Sequence, residues 1–275
     1  MLDGVILLWF FLAALAVAFV AIDIRNTPES PVLKWGFVLL TAYTGIVGAF
    51  LYVLGCREPL RGTHEQYTAT RWRQTLGSTM HCVAGDGVGI LVGAVLSSLL
   101  ALTGFAEVAL EYVLGFGFGW TIFQALFMRD AAGGSYSVAL RRTFIPELLS
   151  MNLLMAGMVP TAMSLRRHVA LADDPAHARF WFVMSMALLV GFVVAYPMNW
   201  WLVANRLKHG MMTIRPKKEG GMAMGGGDMA GMAIDSGKRA GMAMSEADKP
   251  SPSVPTMTVL SFLALAAGLA LAFAG

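Results

Sequence analysis

The sequence predicts an all-α protein that crosses a membrane several times, and composition is the first reason. Of its 275 residues, 57% are hydrophobic and only 13% are charged, and the mean hydropathy is +0.64. An ordinary soluble domain carries about 25% charged residues, and a soluble fold of this size has too little interior to bury so much apolar surface. The composition therefore excludes a soluble globular enzyme and a disordered chain.

The second reason is the presence of apolar segments long enough to cross a bilayer, which takes roughly 20 residues. Seven segments qualify: Leu2–Ile22, Val32–Leu54, Thr75–Leu102, Ala106–Met128, Thr143–Leu165, Phe180–Ala204 and Val254–Ala274. No basic residue precedes the first apolar run, so that segment is predicted to be a retained span rather than a signal peptide. The prediction is a polytopic membrane helix bundle with a six-helix body and a C-terminal seventh transmembrane helix.

Composition also divides the chain into four predicted regions. Residues 1–70 hold two transmembrane helices and a loop, and residues 71–212 hold a four-helix core. Residues 213–254 form a linker rich in Met and Gly, in which the sequence GMAM occurs twice, and residues 255–275 form the last helix. Because the linker has no apolar period, it is predicted to be flexible.

The basic residues predict an orientation, since Lys and Arg accumulate in cytoplasmic loops. If all seven segments span, fifteen of the 20 Lys and Arg residues lie on the face that holds the N-terminus and the loops around 55–75, 129–142 and 205–253. The other five are Arg25, Lys34, Arg166, Arg167 and Arg179. The predicted location is the bacterial inner membrane, with a cytoplasmic N-terminus and a periplasmic C-terminus. The positive charge is thus a topology signal, and the predicted partner is the lipid bilayer, with no nucleic acid.

Several side chains that are costly to bury in a membrane fall at one predicted depth, and such residues are functional candidates. The predicted metal ligands are His81, Cys82, Asp86, Glu147, Met151 and Met155. Tyr196 and Asn199, near the end of the sixth segment, are predicted to line the same site. Because successive helices alternate in direction, we expect these residues in the cytoplasmic half of the bundle. His81 also lies on a helix face of small residues, Gly77, Gly85, Gly89 and Gly93, which is typical of close helix packing.

This set of imidazole, thiol, thioether and carboxylate groups favours a soft metal ion, most simply copper. Further thioethers and one imidazole are predicted to bind the ion weakly: His209, Met211, Met212, Met222, Met224, Met229, Met232, Met242 and Met244. Two cysteines are too few for a disulfide framework. No nucleotide-binding loop or haem-attachment motif is present, so neither cofactor is predicted.

Three stretches of this sequence resemble a bacterial integral-membrane family, the domain of unknown function four-three-nine-six. They are STMHCVAGDGVG, FIPELLSMNLLMAGMVP and FWFVMSMALLVGFVVAYPMNWWLVANRLKHGMM, within about 71–212. Members are often labelled copper-oxidase-like or found beside metal-handling proteins. The family pattern is matched here by His81-Cys82, Pro146-Glu147, Asn199–Trp201 and His209–Met211. Where many relatives have Cys-Gly-Glu or a similar polar pair, this chain has Gly85-Asp86, which weakens a two-cysteine metal site.

Three functions follow from these observations. The first is binding or translocation of a soft metal ion, with a metal chaperone or a second copy of the chain as possible partners. The second is a proton-coupled transporter or channel for a small solute that uses Asp86 and Glu147, with Pro160 and Pro197 breaking their helices near the site. The third is a non-catalytic assembly subunit whose glycine faces bind partner helices. An enzymatic activity is the weaker expectation.

Overall fold

The computed structural model describes residues 2–60, 62–129, 134–210 and 250–274, and these ranges are helical apart from short connections. The helices are α1 (Leu2–Asp23), α2 (Pro31–Thr44), α3 (Ile46–Gly55), α4 (His64–Thr68), α5 (Arg71–Leu99), α6 (Phe105–Met128), α7 (Tyr136–His168), α8 (Ala178–Ala204) and α9 (Val254–Ala274). In the described ranges six of them are long and apolar enough to cross a membrane: α1, α5, α6, α7, α8 and α9. The predicted all-α polytopic bundle, including its C-terminal helix, is confirmed.

The predicted span 32–54 takes a different form, because it folds back at Gly45. The φ of Gly45 is +61°, a conformation that glycine adopts readily and other residues rarely do, so α2 ends there and α3 leaves in a new direction. At about 1.5 Å per residue, neither helix reaches across a hydrocarbon core of ~30 Å. The Tyr52 hydroxyl near the end of α3 donates to Asp23 Oδ2 at 2.8 Å, so the chain returns to the end of the bundle from which it entered. We call α2 and α3 the half-membrane hairpin.

The tip of the half-membrane hairpin reaches the middle of α5. The Tyr43 hydroxyl donates to the Val83 carbonyl at 2.6 Å, and Gly36 packs on Ala84 of the same helix. At the other end of α2, the Ser30 hydroxyl accepts a hydrogen bond from the Leu33 amide and caps the helix. Pro31 occupies the first turn, where a backbone N–H has no partner within the helix, so its missing N–H costs no hydrogen bond. The hairpin therefore starts at a capped helix and ends against the helix that carries the central polar residues.

α5 is the central helix, and glycines let α6 approach it closely. A Cβ at Gly93 would lie 2.8 Å from the Glu111 Cα, and a Cβ at Gly89 would overlap the Leu114 carbonyl. A left-handed glycine, Gly104, makes the turn between the two helices, with a φ of +63°. Farther along, α6 contains one π-helical turn, Gly119–Gln124. Such turns interrupt the regular hydrogen bonding of a helix and often occur at functional sites.

The C-terminal helix α9 packs along α7. The Asn152 side-chain amide donates to Ser261 Oγ at 3.0 Å, and both residues are buried. A Cβ at Gly268 would lie 2.5 Å from the Ala156 carbonyl oxygen, so the two backbones are in close contact. The predicted linker before α9 lies mostly outside the described residues, which resume at residue 250.

The outer surfaces of α1 and α9 are apolar. Leu7 is 74% exposed on α1, and Leu263 and Leu271 are 60% and 71% exposed on α9. Such continuous apolar surface is unfavourable in water and favourable in lipid. The bundle therefore contacts a lipid bilayer through these helices.

Two contacts place both ends of the chain at one end of the bundle. Arg179 Nη2 donates to Asp3 Oδ1 at 2.8 Å, and Arg167 Nη2 donates to the Ala272 carbonyl at 2.8 Å. The start of α1 and the end of α9 thus lie beside the connection between α7 and α8. This arrangement differs from the expectation of termini on opposite faces, because the half-membrane hairpin is too short to cross and leaves six long apolar helices among the described residues instead of seven.

Candidate functional site

A buried ion pair forms the core of the candidate site. Lys208 Nζ donates to Glu147 Oε2 at 3.0 Å, and the two side chains are 3% and 0% exposed. Lys208 follows the end of α8, and Glu147 lies about three turns into α7. Burial disfavours the Lys208 ammonium, but the ion pair with Glu147 favours it and keeps the pKa of Lys208 above its ordinary value. The lysine therefore supplies a positive charge beside Glu147.

Cys82 and Gln124 extend this pair to α5 and α6. The Cys82 thiol donates to the same Glu147 oxygen, Oε2, at 3.2 Å, and Gln124 Nε2 donates to Cys82 Sγ at 2.7 Å. Both residues are buried. Gln124 is the last residue of the π-helical turn. The thiol is thus held between an acceptor and a donor rather than lying free.

Asp86 lies one helical turn beyond Cys82 and faces Glu147 across Gly119. A Cβ at Gly119 would collide with Asp86 Oδ1 and would lie 2.8 Å from Glu147 Oε1. Asp86 is fully buried, and neither of its oxygens, nor Glu147 Oε1, has a hydrogen-bond partner among the described residues. Only glycine leaves room here for two facing carboxyl groups. We call Cys82, Asp86, Gln124, Glu147 and Lys208 the carboxylate centre.

His81 is buried next to the carboxylate centre but contacts other groups. Its ring packs against the rings of Phe123 and Phe127, with centroid distances of 5.6 and 4.8 Å. Gly36 of α2 lies next to the His81 backbone. His81 Nε2 has no hydrogen-bond partner among the described residues. The structure thus places this imidazole in an aromatic pocket under the half-membrane hairpin.

The structure places the two predicted thioether ligands in the apolar core. Met151 and Met155 are both fully buried there. The Met151 methyl group lies next to Gly115, which is one turn of α6 before the π-helical turn. The backbone carbonyl of Asp86 lies next to the same glycine.

The predicted lining residues tie helices together. The Asn199 side-chain amide donates to Ser150 Oγ at 2.8 Å and joins α8 to α7, whereas the Tyr196 hydroxyl donates to the Trp72 carbonyl at 3.1 Å and joins α8 to α5. Helices α7 and α8 continue without interruption through Pro160 and Pro197.

The predicted packing glycines lie on the enclosed part of α5. A Cβ at Gly85 would lie 2.8 Å from the Phe123 ring, and Gly89 and Gly93 face the α6 backbone. Gly77 is buried as well. This face therefore turns toward other helices of the same chain.

Most of the predicted auxiliary metal ligands lie beyond the described residues. These are Met211, Met212, Met222, Met224, Met229, Met232, Met242 and Met244. His209 is described, and it is exposed next to Lys208.

A second polar cluster lies at the mouth of the half-membrane hairpin. Glu29, Cys56 and His64 are buried, and each offers one atom within 4.8 Å of the other two. His64 Nε2 lies 4.0 Å from Cys56 Sγ and 3.5 Å from Glu29 Oε1. Burial, followed by the nearby Glu29 carboxylate, raises the pKa of the Cys56 thiol well above its ordinary value. In the described ranges this is the one group of three His, Cys, Asp or Glu side chains at metal-binding distances.

Five residues of these two clusters were not predicted from the sequence: Gln124, Lys208, Glu29, Cys56 and His64. Gln124 could have been noticed as a polar residue inside an apolar span. Lys208 looks like an ordinary loop residue in the sequence, because it lies four residues after Ala204, the end of α8. Glu29 and Cys56 fall at opposite ends of the predicted span 32–54. A straight helix of that length would hold them on opposite faces of the membrane, and only the turn at Gly45 brings them together.

The comparisons with known proteins identify a family and no individual relative. No curated protein and no solved structure matches the chain. One family model matches residues 71–208, which is half of the chain and runs from the start of α5 to Lys208. The matched region contains all five residues of the carboxylate centre and excludes Glu29, Cys56 and His64. The chain belongs to the family described as Domain of unknown function (DUF4396).

Proposed function

We propose that this protein is a proton-coupled transporter of a small solute, and that Asp86 and Glu147 carry the proton. One observation carries the proposal: two carboxyl groups face each other across Gly119 inside the bundle, with one ammonium group beside them. Ionisable groups inside membrane helices are expensive and typically mark ion or proton pathways.

The charge balance of the carboxylate centre supports a bound proton. Among the described residues, the single Lys208 ammonium lies beside two buried carboxyl groups and can balance the charge of only one of them. An unpaired buried carboxylate costs several kcal/mol, whereas a proton removes that cost. In the part of the chain that the structure describes, Asp86 and Glu147 Oε1 also both lack a hydrogen-bond partner. One proton on this pair would neutralise the extra charge, and a small approach of the two groups would let the protonated carboxyl donate to the other one.

Proton release would then drive a change of state. Loss of the shared proton leaves two negative charges beside one ammonium, and the bundle relieves this imbalance by rearranging or by accepting a polar solute. The carboxylate centre is closed to solvent in the present structure. This is expected of an occluded state, which a transporter adopts between opening to one side of the membrane and opening to the other. Alternation between two such openings is how secondary transporters work.

The basic residues support a cytoplasmic location for the end of the bundle nearest to this centre. With the half-membrane hairpin folded back, ten of the 13 described Lys and Arg residues lie at that end: Arg25, Lys34, Arg57, Arg71, Arg73, Arg129, Arg141, Arg142, Arg206 and Lys208. The other three, Arg166, Arg167 and Arg179, lie near the chain termini. The positive-inside rule then places both termini on the outer side, in a bacterial inner membrane.

A soft metal ion such as copper is the second candidate for this centre. The Cys82 thiol and the Glu147 carboxylate lie 3.2 Å apart, which favours it. The Lys208 ammonium opposes it, because this cation already occupies the position next to both groups. Copper binding at this centre would have to displace the lysine.

Infrared spectroscopy of the purified full chain tests the proposed proton. A protonated carboxyl group gives a C=O stretching band that a carboxylate lacks. Each buried carboxyl contributes its own band, so the difference spectrum between the wild type and a variant isolates one group. We expect the difference between the wild type and Asp86→Asn at neutral pH to contain a protonated-carboxyl band. Glu111→Gln is the control, because Glu111 is a buried carboxyl in α6 beside Arg166 and away from the carboxylate centre, and any band that it removes should be a different one. A difference spectrum between the wild type and Asp86→Asn without such a band would overturn the proposal.

Proteoliposomes test the transport step. Vesicles loaded with a pH-sensitive dye and driven by a potassium diffusion potential should acidify faster with the wild type than with Asp86→Asn, and Glu111→Gln should behave as the wild type. Equal rates for all three proteins and for empty vesicles would exclude proton movement through the centre in the absence of solute. Copper content that depends on Cys82, measured on the same preparations, would favour the second candidate.

A further inference from the structure

Three separate segments meet at the mouth of the half-membrane hairpin. Glu29 precedes α2, Cys56 directly follows α3, and His64 begins α4. Each residue is at most 4% exposed, and their ligand atoms all lie within 4.8 Å of one another. A carboxylate, a thiol and an imidazole therefore converge on one point at the end of the bundle.

From this convergence we infer that Glu29, Cys56 and His64 form a binding site for a divalent ion of the zinc class. The site is separate from the carboxylate centre and lies outside the family-matched region. The bound ion would clamp the mouth of the half-membrane hairpin by joining the segment that leads into it to the segment that follows it.

The geometry is close to that of a zinc site. Zinc binds Cys sulfur at about 2.3 Å, His nitrogen at about 2.0–2.1 Å and carboxylate oxygen at about 2.0–2.2 Å, with tetrahedral angles. These values put neighbouring ligand atoms roughly 3.3–3.6 Å apart. The His64–Glu29 distance of 3.5 Å lies in this range, and the His64–Cys56 distance of 4.0 Å exceeds it by a few tenths of an ångström. Small side-chain movements suffice to close the site.

Charge also favours a divalent ion. A thiolate from Cys56 and a carboxylate from Glu29 carry two negative charges, and a neutral His64 carries none. One divalent ion balances the two negative charges of these ligands, and the Lys34 ammonium also acts on Cys56 electrostatically. Metal binding would release the thiol proton, because a Cys ligand binds as the thiolate.

The combination of ligands selects the class of ion. A thiolate excludes Mg²⁺ and Ca²⁺, which take oxygen ligands, and a carboxylate is a poor ligand for Cu⁺, which prefers soft sulfur donors. One thiolate, one imidazole and one carboxylate suit Zn²⁺. Three protein ligands leave a fourth position for water or another donor.

The neighbouring contacts explain why a clamp at this place matters. The Tyr52 hydroxyl of α3 donates to Asp23 Oδ2 at 2.8 Å and accepts from Thr27 Oγ1 at 3.0 Å. Arg57 Nε donates to the same Asp23 oxygen at 2.8 Å. These bonds and the triad hold the two ends of the hairpin together. Since α2 covers His81 and reaches Val83 on α5, the position of the hairpin affects the packing beside the carboxylate centre.

Cobalt is a suitable probe because a Co²⁺–thiolate bond absorbs in the near ultraviolet and Zn²⁺ displaces it. We expect the detergent-purified full chain to bind one Co²⁺ with this band and to lose the band when Zn²⁺ is added. The Cys56→Ser variant should lose the band and bind Zn²⁺ about 10-fold or more weakly, and Glu29→Gln and His64→Gln should weaken binding similarly. Cys82→Ser is the matched control, since it removes the other buried cysteine and should leave the band intact.

X-ray absorption of the zinc-loaded wild type keeps the inference testable if a variant fails to fold. We expect one sulfur and otherwise nitrogen or oxygen neighbours. A wild type that binds no Co²⁺ or Zn²⁺ would overturn the inference and would indicate that the triad is an ion pair between Glu29 and a protonated His64. A thiolate band that persists in Cys56→Ser and disappears in Cys82→Ser would also overturn it.

Discussion

Lys208 and Glu147 form an ion pair with a separation of 3.0 Å, buried in the family-matched part of the bundle. The pair joins the segment after α8 to α7, and its two residues lie 61 positions apart in the sequence. Glu147 offers one oxygen to Lys208 and Cys82 and turns the other toward Asp86. A single glutamate thus links the positive charge of Lys208 to the second carboxyl group.

Removal of Lys208 should strongly destabilise the protein. Breaking a buried ion pair at one partner leaves an uncompensated charge and costs about 3–5 kcal/mol. We expect Lys208→Met to lower the thermal unfolding temperature in detergent, and the double variant Lys208→Met/Glu147→Gln to recover much of the loss. Effects that simply add in the double variant would mean that the two side chains do not depend on each other.

Gly119 should tolerate no side chain, in contrast to Gly117 two residues earlier in α6. A Cβ at Gly119 collides with Asp86, whereas a Cβ at Gly117 meets nothing within 4 Å. We expect Gly119→Ala to lower the unfolding temperature by an amount equivalent to about 1–3 kcal/mol and to change the carboxyl infrared band. Gly117→Ala is the paired control and should leave both unchanged. Equal behaviour of the two variants would argue against facing carboxyl groups at this glycine.

The half-membrane hairpin predicts that residues 26 and 59 are accessible from the same side of the membrane. Asn26 and Pro59 are exposed on either side of the hairpin, and Ala176 is exposed in the α7–α8 connection. An impermeant maleimide should label Asn26→Cys and Pro59→Cys from one side and Ala176→Cys from the other. The native cysteines are both buried, so the wild type should remain unlabelled. Labelling of Asn26→Cys and Pro59→Cys from opposite sides would restore the single crossing helix.

The docking of α9 should depend on Gly268. The Ala156 backbone on α7 leaves no space for a side chain at this position, whereas the adjacent Ala267 is exposed. We expect Gly268→Val to separate the helices and to lower the unfolding temperature, with a cost of about 1–3 kcal/mol from overpacking. Ala267→Val adds a larger side chain on the outer face and should have little effect. A neutral result for Gly268→Val would show that α9 contributes little to the stability of the bundle.

Much of the fold could be predicted because the signals are local. The start of α1, the end of α6 and both ends of α9 agree with the apolar segments within two residues, since helix length and composition are properties of one stretch of chain. The depth of Cys82, Asp86 and Glu147 in the membrane could likewise be predicted from their distances to the helix ends alone. The π-helical turn that directs Gln124 to Cys82 has no comparable signal, because it depends on how α6 packs against α5 and α7.

The sequence by itself therefore determined the membrane class, the apolar helices and the residue types that are costly to bury, because each follows from local composition and helical rise. Only the tertiary structure decided that the chain turns back at Gly45, that Lys208 enters the bundle, and that Glu29 meets Cys56 and His64. These features join residues far apart in sequence, and they depend on packing between helices. A hydropathy pattern records which residues avoid water, but it does not record which of them become neighbours.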